Sequence, residues 1–499
     1  MSKKNKKQNK NKKVPFVSEQ INEKTIPFFD RISKQINLPK REKKAMLDDF
    51  DKALIMLNAS GVSFEEAMHR LDVVNLGGFY SRPATTWFPI DNAAKIYPVS
   101  MSSDNMALFR LSVYLKEDVI PEILQMALTF TIKRFPTFAT SVKKGIFWHY
   151  LETTKRRYVA LPDTGVPCHH IKVGASGSQT FRLMYYKNRI SVELFHILSD
   201  GTGGMAFLKT IVAEYFRILG TPCESTNGVL PVNGIVSAGE LTNEFPNVPT
   251  EGKPAGFMDK TAMQFGGKLS KVRPCQVLHF KLDAAKLKKV AKSRNATVTA
   301  YLLSRMFAAG RNACDEISGE FSVMVPVNMR KYYPSETLRN FSMYCGIREP
   351  LTDIKNADDL IPDITAQLEK KASKESMTKM VASTNNMIKL LRFIPLFLMA
   401  PVAKRVYGVL GEKIFSTTLS NLGVVKFPAE IEDKIESLDF VLGTVSTNRL
   451  ACSSVTFGNT CTFSVSKNTA DSSFEDCFYE LLCADGLDPV VEGSVLIED

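Results

Sequence analysis

None of the nine cysteines forms a Cys-x-x-Cys pair, their total is odd, and nothing ahead of them reads as a secretory signal. A disulfide framework is thereby excluded, and reduced thiols in a cytoplasmic protein are expected. The chain also lacks a long apolar run. Its longest, FIPLFLMAPVA from Phe393, is too short and too rich in proline to cross a bilayer. That stretch reads as a buried helix or, with Lys389, Arg392, Lys404 and Arg405 beside it, as an interfacial patch. Cys168, His169 and His170 adjoin, but no second ligand pair stands at zinc-binding spacing, so no metal is expected. No nucleic-acid-binding motif and no repeat of fixed period is present. Histidine is scarce, six in 499 residues.

What is present belongs to a globular protein. Hydrophobic residues make up 44% and charged residues 23%, and 499 residues require two cores rather than one. The formal net charge of +12 is mostly local: KKNKKQNKNKK supplies seven lysines and no acid, leaving about +5 for the remainder. With nothing apolar to bury, residues 1–14 are expected to form a disordered, solubilising tail, and contact with an anionic membrane is the alternative. Without an accompanying motif, nucleic acid is not expected as a partner.

Residues 15–78 carry helical signals, DFDKALIMLNAS and then SFEEAMHRL, where Ser63 and Glu66 have capping-box spacing. They read as a helical extension without chemistry of its own. From 79 the pattern is mixed α/β. ALFRLSVYL is a strand, and TFRLMYYKNRISVELFHILSDG is two strands joined at Lys187-Asn188, the second alternating Ile190, Val192 and Leu194 on one face. Phe207, Leu208, Ile211, Val212, Tyr215 and Leu219 then form a helical stripe. FHILSDGTGG, residues 195–204, therefore sits at a strand-to-helix junction. A linker over 251–272 separates this first half, 79–250, from a second, 273–499. The second half has similar grammar: strand QVLHFKL, helices DAAKLKKVAKS and TVTAYLLSRMFAAG, strand EFSVMVPVNMR, a hairpin turning at Gly458-Asn459, and a last helix SSFEDCFYELLCADG.

HILSDG fits the pattern HxxxDG, and other segments accompany it in order: FPTFATSVKKGIFWHYLE, ATVTAYLLSRMFAAG, VPVNMRKYYPSETLRNF with Arg330 and Asn340-Phe341, and LSNLG from Ser420 to Gly423. Together they resemble the chloramphenicol-acetyltransferase-like, coenzyme-A-dependent acyltransferase superfamily, over about residues 80 to 499. Among its members the stand-alone bacterial alcohol acetyltransferases are the most similar. Two departures stand out: the first of the two histidines found in many members is Phe195 here, and no DFGWG segment of the BAHD type is present. The resemblance implies two α/β two-layer sandwich halves with a channel between them.

The chemistry supplies its own reason for such a site. An alcohol attacks a thioester poorly while it keeps its proton, and an imidazole titrating near neutrality is suited to take it. His196 is thus the candidate general base, against the alternative of a core histidine satisfied by hydrogen bonds. The resemblance implies that Asp200 pairs with an arginine and shapes the turn, and Arg330 is the candidate partner. Gly201 would leave room for close approach where a side chain would intrude. Gly203 and Gly204 read as loop and helix-start residues. Ser420 and Asn421 are candidate donors to an oxyanion, a structural turn being the alternative. Direct attack needs no acyl-enzyme, so none of the cysteines need act as a nucleophile.

The function expected is O-acyl transfer from acyl-CoA to a small alcohol or lipid acceptor. The coenzyme A thioester is then a co-substrate, and no bound cofactor is expected. A carrier-protein thioester donor with an amine or hydroxyl acceptor is the alternative within the same chemistry. A scaffold of the same fold without turnover is the alternative outside it. The lysine tail and the apolar run at 393 would suit a peripheral position at the inner face of the membrane.

Overall fold

A computed structural model describes residues 25–72, 87–95, 97–100, 107–171, 179–249, 259–270, 275–316, 318–399, 413–444 and 448–493. The lysine tail over 1–14, Lys404 and Arg405, and part of the linker at 251–272 lie outside the described residues.

The first half is built on a five-stranded sheet in the order β12-β2-β7-β6-β5. Its strands are β2 (Leu108–Leu115), β5 (Ala160–Pro162), β6 (Phe181–Tyr186), β7 (Arg189–Phe195) and β12 (Ile435–Leu442). β6 and β7 form the hairpin across Lys187-Asn188, where Lys187 takes a positive φ of 48°. A three-stranded sheet of β1 (Trp87–Pro89), β3 (Thr140–Lys144) and β4 (His149–Thr153), ordered β1-β4-β3, lies in the same half. The second half holds a seven-stranded mixed sheet, β10-β9-β11-β13-β14-β8-β15. Its strands are β8 (Gln276–Asp283), β9 (Glu320–Asn328), β10 (Ser342–Pro350), β11 (Thr417–Val425), β13 (Leu450–Phe457), β14 (Thr460–Lys467) and β15 (Val490–Gly493).

The partition at 273 is crossed by one strand. β12 comes late in the chain yet pairs antiparallel with β2, from Leu442 opposite Phe109 to Ile435 opposite Leu115. Phe440, Leu438 and Val441 are accordingly buried in the first core, together with Phe427 and Ile431. An apolar strand can complete either sheet, and nothing local in IESLDFVL tells which edge it joins.

The extension does not stand apart either. Its helices are α1 (Ile26–Gln35), α2 (Lys40–Ala59) and α3 (Phe64–Leu71), and they share the first core. Phe50 of α2 meets Phe130 of α4 (Pro121–Thr131) with ring centroids 5.9 Å apart. Asp49 and Arg157 pair across the same seam.

The one-sided alternation expected of β7 needs correction, because Ser191 and Glu193 on its other face are buried as well. Glu193 accepts from Arg110 at 2.8 Å and Arg182 at 2.9 Å, and Arg110 also pairs with Asp163 at 2.7 Å. A buried carboxylate is tolerable only with such partners. The apolar run from Phe393 is not a buried helix. Leu396 and Met399 turn inward, but Phe393, Phe397 and Leu398 face solvent. No described helix is long and apolar enough to cross a membrane.

Candidate active site

β7 ends at Phe195, and the next backbone N–H, that of His196, donates to Ala107 O at 2.8 Å. This bond carries the β2–β7 pairing one residue further and fixes where the imidazole leaves the sheet. The ring lies between two aromatic rings, Phe109 at 5.3 Å and Tyr97 at 5.5 Å between centroids. Asn340 Nδ2 stands 3.3 Å from His196 Nδ1 and 3.3 Å from the His196 carbonyl oxygen. Burial pushes the imidazole pKa below its usual value, opposed by a hydrogen bond to its own backbone and by the Asp200 carboxylate. The residue keeps partial exposure to solvent.

Asp200 holds the turn that follows. Its Oδ1 accepts from the N–H groups of Thr202 at 3.1 Å and Gly203 at 3.3 Å, capping α5 (Gly201–Leu219). Its Oδ2 accepts from Arg330 Nη1 at 2.7 Å and from the Phe341 N–H at 2.8 Å, both in the second half. Arg330 is held in turn by the carbonyls of Thr337 at 2.8 Å and Arg339 at 2.7 Å. The carboxylate thus points away from the imidazole, and every oxygen has a donor. Breaking so buried a pair by removing one partner typically costs about 3–5 kcal/mol.

The glycines admit the other half of the molecule. A Cβ on Gly201 would meet Leu422 Cδ2 at 2.6 Å, so the space there is taken by the S-N-L-G segment of β11. Gly203 is more than a helix-start residue. A Cβ at that position would fall 2.0 Å from Leu338 O and 2.2 Å from Ser199 Oγ, and Ser199 Oγ itself donates to Leu338 O at 2.6 Å. Backbone from the second half therefore lies directly against the first turn of α5.

Ser420 and Asn421 sit where the pairing of β11 with β13 shifts register, between Asn421 and Val424, with Gly423 at a positive φ of 69°. Such bulges re-aim side chains. Asn421 is committed locally: its Oδ1 accepts from Gly423 N–H at 2.8 Å and its Nδ2 donates to Thr299 Oγ1 at 3.1 Å. Ser420 is half-buried beside it. The structure therefore brings His196, Asp200, Gly201 and Arg330 into one seam, with the 420–423 segment against Gly201.

Asn340, Tyr97 and Phe109 were not singled out as site residues from sequence. Asn340 had a signal, the Asn-Phe pair after the P-V-N-x-R strand, whose asparagine reaches the imidazole and whose phenylalanine N–H reaches Asp200. Tyr97 had none. Among the described residues no group of three His, Cys, Asp or Glu is placed to hold a metal ion.

No protein-family model and no curated protein matches the sequence. Solved structures match in fold. TRI101 of F. graminearum, complexed with coenzyme A and deoxynivalenol, has a TM-score of 0.55 at 10% identity, over 80% of this chain and 97% of its own. The TRI3 trichothecene 15-O-acetyltransferase of Fusarium sporotrichioides has a TM-score of 0.54 at 12% identity, over 80% and 97%. The epimerization domain from the third module of tyrocidine synthetase B has a TM-score of 0.51 at 11% identity, over 80% and 96%. The fold is the chloramphenicol-acetyltransferase-like one. Its two halves meet along the seam that His196 occupies.

Proposed function

We propose that the chain is an O-acyltransferase that moves an acyl group from coenzyme A to an alcohol, with His196 as general base. The observation that carries this reading is an imidazole at the seam between halves, its pKa lowered by burial, with the Asn340 amide 3.3 Å from Nδ1 and no carboxylate bonded to the ring among the described residues. The fold's likeness to the TRI3 trichothecene 15-O-acetyltransferase, and to TRI101 complexed with coenzyme A, supports the donor.

In the proposed reaction the neutral imidazole takes the hydroxyl proton as the oxygen attacks the thioester carbonyl. The tetrahedral oxyanion collapses, the carbon–sulfur bond breaks, and the departing thiolate takes the proton back from the imidazolium. Ester and coenzyme A leave as products, and the base is regenerated. With Asn421 tied to Thr299 and to its own strand, the Ser420 hydroxyl is the remaining candidate donor to the oxyanion from that segment. Asp200 and Arg330 would keep the turn in shape rather than touch the reacting atoms.

Thiol release from acetyl-CoA with a simple alcohol, followed for wild type and His196→Ala, tests the role. A loss of roughly 10²–10⁴ in kcat with an unchanged melting temperature is expected. Equal turnover in a folded variant rejects it. Offering a pantetheine-carrier thioester beside the coenzyme A thioester separates the donor classes, and preference for the carrier would replace coenzyme A in the proposal.

A further inference from the structure

A second feature of the molecule has no part in acyl transfer. After α9 (Lys374–Leu391) the chain passes through Arg392 and Phe393 into a short helical turn, which sends Leu396 and Met399 inward against Trp148 and Leu391. The Leu396 N–H donates to Ile146 O at 2.8 Å, so this turn and the β3–β4 loop form one continuous surface. The outward side chains are apolar. Ile146 is 75% exposed, Leu390 80%, Phe393 71% and Phe397 68%, with Phe147 and Leu398 beside them. Large apolar side chains gathered on two neighbouring loops are a surface that a soluble protein normally covers.

The rim of this surface is cationic. Lys144, Lys389 and Arg392 are exposed, and the Arg392 guanidinium lies 4.5 Å from the Phe393 ring centroid. No acidic residue occurs from 376 to 399 or from 138 to 151. Apolar tips ringed by cations and free of carboxylates match the boundary of an anionic lipid bilayer, where rings enter the acyl layer and ammonium and guanidinium groups meet phosphate. A protein partner with an acidic rim would be a different occupant. The bilayer is favoured because the exposed apolar tips project from two separate loops whose rim is cationic.

Contacts of Asn92, Lys95 and Tyr97 lead from this surface towards the candidate active site. Asn92 Nδ2 donates to Asn385 Oδ1 of α9 at 2.8 Å, Lys95 Nζ lies 5.5 Å from the Trp148 ring centroid, and Tyr97 packs on His196. Asn92 and Lys95 therefore lie towards the apolar tips, and Tyr97 lies against the imidazole.

We infer that the Ile146–Phe147 and Phe393–Leu398 loops are a docking surface for anionic membranes. This inference does not depend on the acyl-transfer reading, because binding is measured without turnover. Full-length protein is co-sedimented with phosphatidylcholine vesicles and with vesicles that also contain phosphatidylserine. Binding to the anionic vesicles, weakened by salt, is expected for wild type. The Phe393→Asp/Phe397→Asp variant, with unchanged melting temperature, should bind about tenfold less or weaker still. A variant lacking residues 1–13 should retain binding that the double variant lacks. Three results overturn the inference: no wild-type binding to anionic vesicles at low salt, equal binding by the double variant, or binding that is lost with residues 1–13 alone. A wild-type dimer that the double variant turns into a monomer, with vesicles making no difference, likewise overturns it and assigns the surface to a second copy of the chain.

Discussion

The two halves contain the same three-strand unit, β2-β7-β6 in the first and β8-β14-β13 in the second, each followed at once by a helix. In the first, the strand ends before His196 and Asp200 stands four residues on. In the second, the strand ends at Lys467 with Asp471 four residues on, ahead of α10 (Ser473–Ala484). The backbones do the same work, and the side chains do not. Lys467 is buried, donates to Asp471 O at 2.7 Å and pairs with Glu475 of α10, so its charge is neutralised within its own half. At the first junction the ion pair is made across the seam, Asp200 with Arg330, and among the described residues no carboxylate bonds to the His196 ring. If the proposed role of His196 holds, the first junction gains its base by sending its counter-charge elsewhere.

The sharpest way to break this comparison is to exchange consequences. His196→Ala should lose activity by the factor given above and keep its stability. Lys467→Ala should do the reverse, losing about 3–5 kcal/mol in denaturant unfolding because Glu475 is left buried and unpaired, while turnover per folded molecule is unchanged. Next in size, Asp200→Ala should cost about 3–5 kcal/mol, since it strands Arg330 and uncaps α5, whereas Asp471→Ala should cost about 1 kcal/mol, being a local turn contact to Ser473. Equal losses for the two aspartates would contradict the difference drawn between the junctions.

Gly203→Ala should destabilise more than Gly201→Ala, for which about 1–3 kcal/mol is expected, because a Leu422 side chain can shift and the Leu338 backbone cannot. Thermal unfolding of the pair measures the order. The smallest effect is in pH. Burial lowers the His196 pKa, so the ring stays neutral as pH falls through its ordinary value, and the acid limb of kcat/KM should lie below about 6.5. The same shift means that stability is lost, rather than gained, as pH drops below the unfolded value, since the unfolded chain binds that proton more readily. An acid limb above the ordinary histidine value would reverse the sign and with it the account of the site.

Features written in neighbouring residues were legible in the sequence. The hairpin turns at Lys187-Asn188 and Gly458-Asn459, the junction at FHILSDG, and the helix after it all depend on short-range periodicity and turn chemistry. Asp200 and Arg330 meet although 130 positions apart, and that pairing came from a resemblance, not from spacing. What failed to show was chosen by tertiary context. Asn340 stands in the Asn-Phe pair after the P-V-N-x-R strand, but that signal does not say that its amide reaches the imidazole. β12 is apolar enough for either sheet. The run from Phe393 reads as a buried helix or an interfacial patch, and its composition does not choose between them, because hydrophobicity records a wish to leave water and not the place where that is achieved.

The crossing of β12 has a consequence for how the protein is made. On a ribosome the nascent chain completes β2, β6 and β7 well before residues 435–442 emerge, an interval on the order of tens of seconds at ordinary elongation rates. Throughout it one side of β2 has unsatisfied backbone groups and invites pairing with foreign strands. The first half cannot complete its sheet until residues 435–442 have emerged, so chaperone demand should fall on that open edge, and a fragment that ends before them should not fold stably.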